Sequence, residues 1–249
     1  MAIIETNGLC YQYQDGSTGL VDVSLSFKTG EFTVVAGANG SGKSTLLRHL
    51  NGLLLPGSGS VSVCGAAVQD DPARARQQVG MVFQDADSQI IGETVYADVA
   101  FGPENLGLSH EQIDGRVQAA LEAVALTGFD DKSPHHLSGG EKRRLAIAGV
   151  LAMTPQVLVM DEPFSNLDYR AARLVLIQIL NLHRAGHTII ITTHDLEKVI
   201  GHAQRLIIMD RGRVVRDGSP AAIIEDVERF GIRPPCSVKF NQGIQPWLS

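Results

Sequence analysis

Short apolar runs alternate with longer amphipathic segments along the chain. Apolar or alternating runs predict strands at 23–27, 32–36, 61–64, 79–83, 157–161, 188–192, 205–209 and 213–216. Several are apolar throughout, which is typical of strands covered on both faces of a parallel sheet. The segments between them predict helices over 43–51, 109–125, 140–153, 169–185 and 195–203. This alternation favours an α/β fold with a mostly parallel sheet.

The stretch from about 86 to 136 interrupts that alternation. It contains no convincing strand, and its apolar residues recur at helical spacing after Ser109 and Gln112, which form a capping-box pattern. We interpret this stretch as a helical subdomain inserted into the α/β core.

The 249 residues are interpreted as one domain. The core covers about 1–85 and 137–230, and the proline- and glycine-containing stretch 231–249 predicts a loosely structured tail. Because no span of about 18 apolar residues is uninterrupted, we expect the chain not to cross a bilayer. A net charge of −6 argues against a nucleic-acid partner. Three widely spaced cysteines favour a reducing, cytosolic setting.

A glycine-rich motif directly follows the predicted strand 32–36. It consists of Gly37, Ala38, Asn39, Gly40, Ser41, Gly42, Lys43 and Ser44, with Thr45 next. Glycines let backbone amides approach phosphate oxygens, and a helix starting near Lys43 directs its positive N-terminal end at the same anion. Lys43 would add a full charge between the β- and γ-phosphates, and the Ser44 hydroxyl could bind Mg²⁺. The motif therefore predicts a nucleotide triphosphate site.

Two adjacent acids end the predicted strand 157–161. Asp161 is placed to bind Mg²⁺ directly or through water, because that ion prefers hard oxygen ligands. Glu162 is the candidate general base that orients and polarises an attacking water. Taken alone, the pair could equally be solvated acids at a strand end; the upstream phosphate loop favours the catalytic interpretation.

A second helix start could also bind an anion. Ser138, Gly139 and Gly140 precede Glu141, and Ser138 with Glu141 forms a capping box, which is the purely structural interpretation. A single nucleotide already has its phosphates held by 37–45. A second phosphate-binding helix end therefore suggests a second subunit that completes the site across a two-fold axis.

Together these motifs resemble the ATP-binding cassette of ABC transporters over about residues 1–230. Further segments that match are Gln84 (glutamine loop), 165–168 ending in Asp168 (the loop that contacts the opposite subunit), His194 (switch histidine) and Tyr13 (the adenine-stacking aromatic, with Tyr11 as the weaker alternative). Glu141 and Asn166 depart from the commonest patterns of the family.

The resemblance implies a P-loop NTPase core with an antiparallel β subdomain and an inserted helical subdomain. It further implies two subunits that enclose two ATP molecules. The phosphate loop, Gln84, Asp161, Glu162 and His194 of one subunit would face Ser138, Gly139 and Gly140 of the other, with Ser44, Gln84 and Asp161 toward Mg²⁺.

The segment from Gln84 to Gln89, together with 95–108, is similar to the energy-coupling-factor group of importer ATPases. That similarity implies a homodimer or a heterodimer with a second ATPase. It also implies a transmembrane coupling subunit contacted by Asp87, Ser88 and Gln89, and a substrate-specific membrane subunit. The chain would then lie at the cytoplasmic face of the membrane, and the cargo would be a micronutrient such as cobalt or biotin.

Two alternatives stay open on the sequence. One is a nucleotide-gated clamp acting on DNA or ribosomes, which is disfavoured because no long coiled-coil insertion, second cassette or basic face is visible. The other is an inactive regulatory cassette, which is disfavoured because Lys43, Asp161, Glu162 and His194 are all present.

Overall fold

In the computed structural model, which describes residues 2–248, the strands form two sheets. The strands are β1 (Ala2–Gln12), β2 (Thr18–Lys28), β3 (Phe32–Ala36), β4 (Ser58–Val63), β5 (Ala66–Ala67), β6 (Val79–Val82), β7 (Val157–Asp161), β8 (Thr188–Thr193), β9 (Arg205–Asp210) and β10 (Arg213–Gly218). The larger sheet has the order β10-β9-β3-β8-β7-β6 and is parallel except between β9 and β10. The smaller sheet, β2-β1-β4-β5, is antiparallel.

The central strands of the larger sheet are buried on both faces. Every residue of β3, β7 and β8 is buried, and alternate side chains enter two different apolar cores. Leu158 and Met160 face the core shared with the helical subdomain, whereas Val157 and Val159 face the core under the smaller sheet. The continuous apolar sequence of these strands follows from this double burial.

Helices lie on both faces of the larger sheet, and further helices form a subdomain at its side. The helices are α1 (Lys43–Leu50), α2 (Pro72–Gln78), α3 (Val95–Asn105), α4 (His110–Ala123), α5 (Gly139–Leu151), α6 (Tyr169–Arg184), α7 (Pro220–Ile223) and α8 (Cys236–Lys239). Helix α1 lies in the core under the smaller sheet, and α6 lies in the other core. Helices α3, α4 and α5 pack on one another. Both predicted capping boxes are present, at Ser109 with Gln112 and at Ser138 with Glu141. The predicted fold class is confirmed. None of the helices in residues 2–248 has the length and apolar character that crossing a membrane requires.

Strand β1 is a long element that the apolar pattern did not predict. Its pairing with β2 shifts register between Thr6 and Leu9, where Gly8 adopts a φ of 56°. Such bulges break the two-residue alternation by which a strand is recognised.

The predicted helix over 195–203 is wrong. The segment consists of turns followed by one short 3-10 turn, Ile200–His202. Side chains compete with the helical backbone here: the Thr193 hydroxyl accepts from the Asp195 amide, and the Asp195 carboxylate accepts from the Glu197 amide. Side-chain bonds of this kind favour turns over helices.

The C-terminal tail packs on the domain despite having little regular structure. Ile244, Trp247 and Leu248 lie partly buried against the core, and the Trp247 ring meets Tyr169 edge to face at 5.1 Å. A Cβ atom on Gly201 would lie 2.4 Å from the carbonyl oxygen of Gln245. The tail therefore has little regular secondary structure, as expected, but it is packed against the core.

We expect Gly201→Ala to displace the tail, because the new methyl group meets tail backbone and not a flexible side chain. The overpacking should cost about 1–3 kcal/mol of unfolding free energy. Trp247 is the only tryptophan, so its emission should shift to longer wavelength. Gly115→Ala is the control, because a Cβ there meets nothing within 4 Å. Unchanged emission in Gly201→Ala would contradict the packing described.

Candidate nucleotide site

Three neighbouring strands of the larger sheet end at one edge. In the parallel register, Ala36 of β3 pairs with Thr193 of β8, and Asp161 of β7 pairs with Thr192. The segments that follow these strands therefore start side by side. Ligand sites of open α/β sheets form at this carboxyl edge.

The phosphate loop links β3 to α1 through positions that only glycine fits. Gly42 has a φ of 102°, and a Cβ there would lie 2.8 Å from the carbonyl oxygen of Gly19. A Cβ on Gly37 would lie 2.4 Å from the carbonyl oxygen of Met209. Because α1 begins at Lys43, its free backbone amides lie in the loop, where they can bind an anion.

Lys43 is held inside this loop. Its Nζ donates to the carbonyl oxygens of Gly37 at 2.9 Å and Ala38 at 3.1 Å, and it lies 4.0 Å from Oε1 of Glu162. Burial lowers the pKa of Lys43, while the Glu162 and Asp161 carboxylates oppose that shift. The loop thus fixes a cation where a phosphate would approach.

Thr192 connects the two acids at the end of β7. Its hydroxyl donates to Oδ1 of Asp161 and accepts from the backbone amide of Glu162 at 3.2 Å. Glu162 adopts a φ of 47°, and its Oε1 lies 2.9 Å from Nδ1 of His194. Both acids are buried, whereas the His194 side chain is about half exposed. The arrangement joins a carboxylate to an imidazole, the two groups best suited to hold and polarise a water molecule.

A cavity of about 510 Å³ opens beside these groups. The predicted site residues that line it are Tyr13, Asn39, Gly40, Ser41, Gly42, Lys43, Ser44, Thr45, Gln84 and Glu162. Three others do not line it: Gly37 accepts from Lys43, His194 contacts Glu162, and Asp161 accepts from Thr192.

Tyr13 is the aromatic residue at the cavity wall. Its hydroxyl lies 2.7 Å from the Thr45 hydroxyl, whereas Tyr11 does not line the cavity and packs edge to face on Tyr13. The turn before β2 supplies Ser17 to the same wall, and the start of β2 supplies Thr18 and Gly19. No sequence motif pointed to these three residues or to Thr192 as members of the site.

The donor set at the cavity fits Mg²⁺. Ser44 and Gln84 supply hydroxyl and amide oxygens at the wall, and the Asp161 carboxylate lies at the same sheet edge. Mg²⁺ prefers such hard oxygen ligands and retains several waters.

Ser138, Gly139, Gly140 and Asp168 do not line the cavity of their own chain. The Ser138 hydroxyl caps α5, and Asp168 caps α6 by accepting from the Ala171 amide at 2.7 Å. A Cβ on Gly140 would lie 2.6 Å from Cβ of Ala171, so the starts of α5 and α6 touch. Ser138, Gly139 and Asp168 are exposed, so another molecule can reach them, although the Ser138 hydroxyl and amide both donate to the Glu141 carboxylate.

A run of three basic residues on a helix, here Lys142, Arg143 and Arg144, ordinarily predicts a solvated helix face, but the two arginines are buried. Arg143 is 4% exposed and Arg144 is 9% exposed. Arg144 donates to the carbonyl oxygens of Val124 and Ala125 after α4. Arg143 donates to those of Phe83 and Gln84. Backbone carbonyls from distant segments, invisible to a local pattern, satisfy both guanidinium groups.

Known proteins are similar to this chain over most of its length. The family model described as ABC transporter matches residues 20–165. The energy-coupling factor transporter ATP-binding protein EcfA of Methanococcus maripaludis is 46% identical over 92% of this chain and 83% of its own length. A putative ABC transporter ATP-binding protein of Halobacterium salinarum is 49% identical over 94% of this chain and 100% of its own. The solved CbiO1 of Clostridium perfringens, described as part of the ABC transporter complex CbiONQ, is 37% identical, with a TM-score of 0.83 over 92% of each chain.

The fold and the phosphate-loop site define an ABC-type ATPase, which binds ATP. Within that class, the chain belongs to the ABC transporter ATP-binding proteins of the energy-coupling factor (EcfA) type.

We expect Thr192→Val to weaken both the fold and the site, because it removes the buried hydroxyl between Asp161 and Glu162. Leaving a buried carboxylate oxygen without this partner should cost about 1–3 kcal/mol of unfolding free energy. Denaturant unfolding and the ATPase rate measure the two effects. Thr192→Ser keeps the hydroxyl and should retain most of both; an equal loss in the serine variant would contradict this role.

Proposed function

We propose that this chain is the ATP-hydrolysing motor subunit of an energy-coupling factor importer for a micronutrient, with a cobalt ion as the first candidate cargo and biotin or another vitamin next. The observation that carries the catalytic part is the Glu162–His194 contact beside Lys43 and the phosphate loop. The names of the EcfA relatives and the CbiONQ description of the solved relative support the transport part.

In this proposal the site residues have distinct tasks. The loop amides and Lys43 bind the phosphates, and Tyr13 stacks on adenine. Glu162 accepts a proton from the attacking water, while His194 orients Glu162 and hydrogen-bonds the γ-phosphate. Mg²⁺, held by Ser44, Gln84 and Asp161, would neutralise charge on the β- and γ-phosphate oxygens.

A second ATPase subunit, identical or related, would close the cavity. Its Ser138, Gly139 and Gly140 would approach the γ-phosphate through the amides at the start of α5, with Asp168 nearby. Closure excludes bulk water and supplies preorganised donors, which is why hydrolysis should depend on dimer formation.

We expect Glu162→Gln to retain ATP binding and lose turnover by about 10²–10⁴-fold, because the amide cannot accept the proton. The variant should accumulate as an ATP-bound dimer, measured by light scattering after gel filtration. Glu122→Gln, on the exposed face of α4, is the matched control and should behave as the parent chain.

Hydrolysis at the parent rate in Glu162→Gln would refute the assigned base. A rate per chain that stays constant on dilution and in Ser138→Ala would refute the shared site.

A groove between the helical subdomain and β6 is the proposed docking site for the transmembrane coupling subunit. It encloses about 300 Å³, and Leu53, Ile91 and Phe101 on its rim are 44%, 61% and 50% exposed. Gln89 lines it and is fixed by bonds to the Phe83 amide and the Met81 carbonyl oxygen. Asp87 and Ser88 precede Gln89, so the proposed contact segment ends at the groove. This docking would hold the chain at the cytoplasmic face of the membrane, in a complex with the substrate-specific membrane subunit.

We expect Phe101→Asp and Ile91→Asp to abolish co-purification with the co-expressed transmembrane coupling subunit, because each places a charge in an apolar contact. Thermal unfolding checks that the variants fold. Phe240→Asp, at a 75% exposed position on the tail, is the control and should co-purify normally. Normal recovery of the Phe101 and Ile91 variants would place the docking surface elsewhere.

A further inference from the structure

Arg143 is a buried cation that the proposed chemistry leaves without a task. It lies on α5, five residues after Ser138, and its two terminal nitrogens donate to the backbone carbonyl oxygens of Phe83 and Gln84. Its Nε atom is buried and has no hydrogen-bond partner among residues 2–248. Keeping a desolvated guanidinium costs free energy, and burial lowers the pKa of Arg143. The two hydrogen bonds to the carbonyl oxygens of Phe83 and Gln84 offset part of this cost.

The segment that receives these bonds joins two surfaces. Gln84 lines the nucleotide cavity, and Phe83 lines the groove beside the helical subdomain. The neighbouring Lys142 also reaches this segment, through Asp87, but the Asp87 side chain is 68% exposed. An exposed ion pair contributes little. Arg143 is therefore the firm link between α5 and the Gln84 backbone.

We propose that Arg143 is a positioning residue for Gln84. Its two hydrogen bonds fix the Gln84 backbone relative to α5, and they thereby determine where the Gln84 side chain meets the metal-bound nucleotide. The inference rests on the proposed function, which assigns Gln84 to Mg²⁺. The planar fork of arginine fits two successive carbonyls at once, whereas the point charge of lysine cannot hold both in a fixed geometry.

The test compares Arg143→Lys with Arg144→Lys in the full-length chain. Both remove a buried guanidinium from α5, but Arg144 bonds the segment after α4 and not the Gln84 segment. Binding of a fluorescent, non-hydrolysable ATP analogue is titrated without metal and at increasing Mg²⁺ concentration. Each substitution is also made in a Gln84→Ala background, and melting temperatures confirm folding.

For Arg143→Lys we expect metal-free binding within about twofold of the parent, and a Mg²⁺ requirement raised by about tenfold, as for loss of other groups that orient a metal ligand. In the Gln84→Ala background the same substitution should add less than about twofold, because its target is gone. Arg144→Lys should leave the Mg²⁺ requirement unchanged. Arg143→Gln provides a second variant with the same expected pattern.

The proposal is overturned by any of three results. These are an unchanged Mg²⁺ requirement in Arg143→Lys, an equal shift in Arg144→Lys, or an undiminished shift in the Gln84→Ala background. Failure of both Arg143 variants to fold would also overturn it, because the residue would then be purely structural. The readout is nucleotide binding and does not require hydrolysis. A negative result for Arg143 is therefore distinguishable from a result showing that Glu162 is not the general base.

Discussion

The parallel register of β3, β8 and β7 is the constraint on which the site depends. It brings the phosphate loop, His194 and the two acids to one edge, through the pairs Ala36–Thr193 and Asp161–Thr192. A slip of one residue would turn every side chain of a strand to the opposite face, and burial of both faces makes such a slip costly. The apolar packing of the sheet therefore fixes the relative positions of these site residues.

Glu162 adds a local cost to this arrangement. A φ of 47° is unfavourable for a residue with a side chain and costs on the order of 1–3 kcal/mol. The backbone amide of Glu162 donates to both the carbonyl and the hydroxyl oxygen of Thr192, which holds it in this conformation. The turned backbone places the carboxylate against His194 instead of continuing the strand. Under the proposed function, the strain lies where a water molecule would be oriented.

The sequence predicted the parts of the site that depend on local rules. The phosphate loop needs glycine conformations, and Asp161 needs only a strand end, so both can be found from residue type and spacing. The same rules failed at 195–203, where side-chain bonds to the backbone replaced the expected helix. They also failed at Arg143, because its partners lie about sixty residues away along the chain. The role of Thr192 was missed for the same reason, because β-sheet pairing brings it next to Asp161 and Glu162, which are distant along the chain.

Helix α5 connects the Ser138 segment, the Gln84 segment and the groove, which the sequence motifs did not relate to one another. Ser138 caps its start, Arg143 reaches Gln84 from its second turn, and Ala146 and Val150 further along line the groove. A helix of thirteen residues moves as one body, because its backbone bonds leave little freedom between successive turns. A displacement of α5 at the groove would therefore move Ser138 at its start and the backbone of Gln84 together. Under the proposed function, partner docking at the groove is therefore coupled to assembly of the metal site, because the buried Arg143 guanidinium links α5 to the Gln84 backbone.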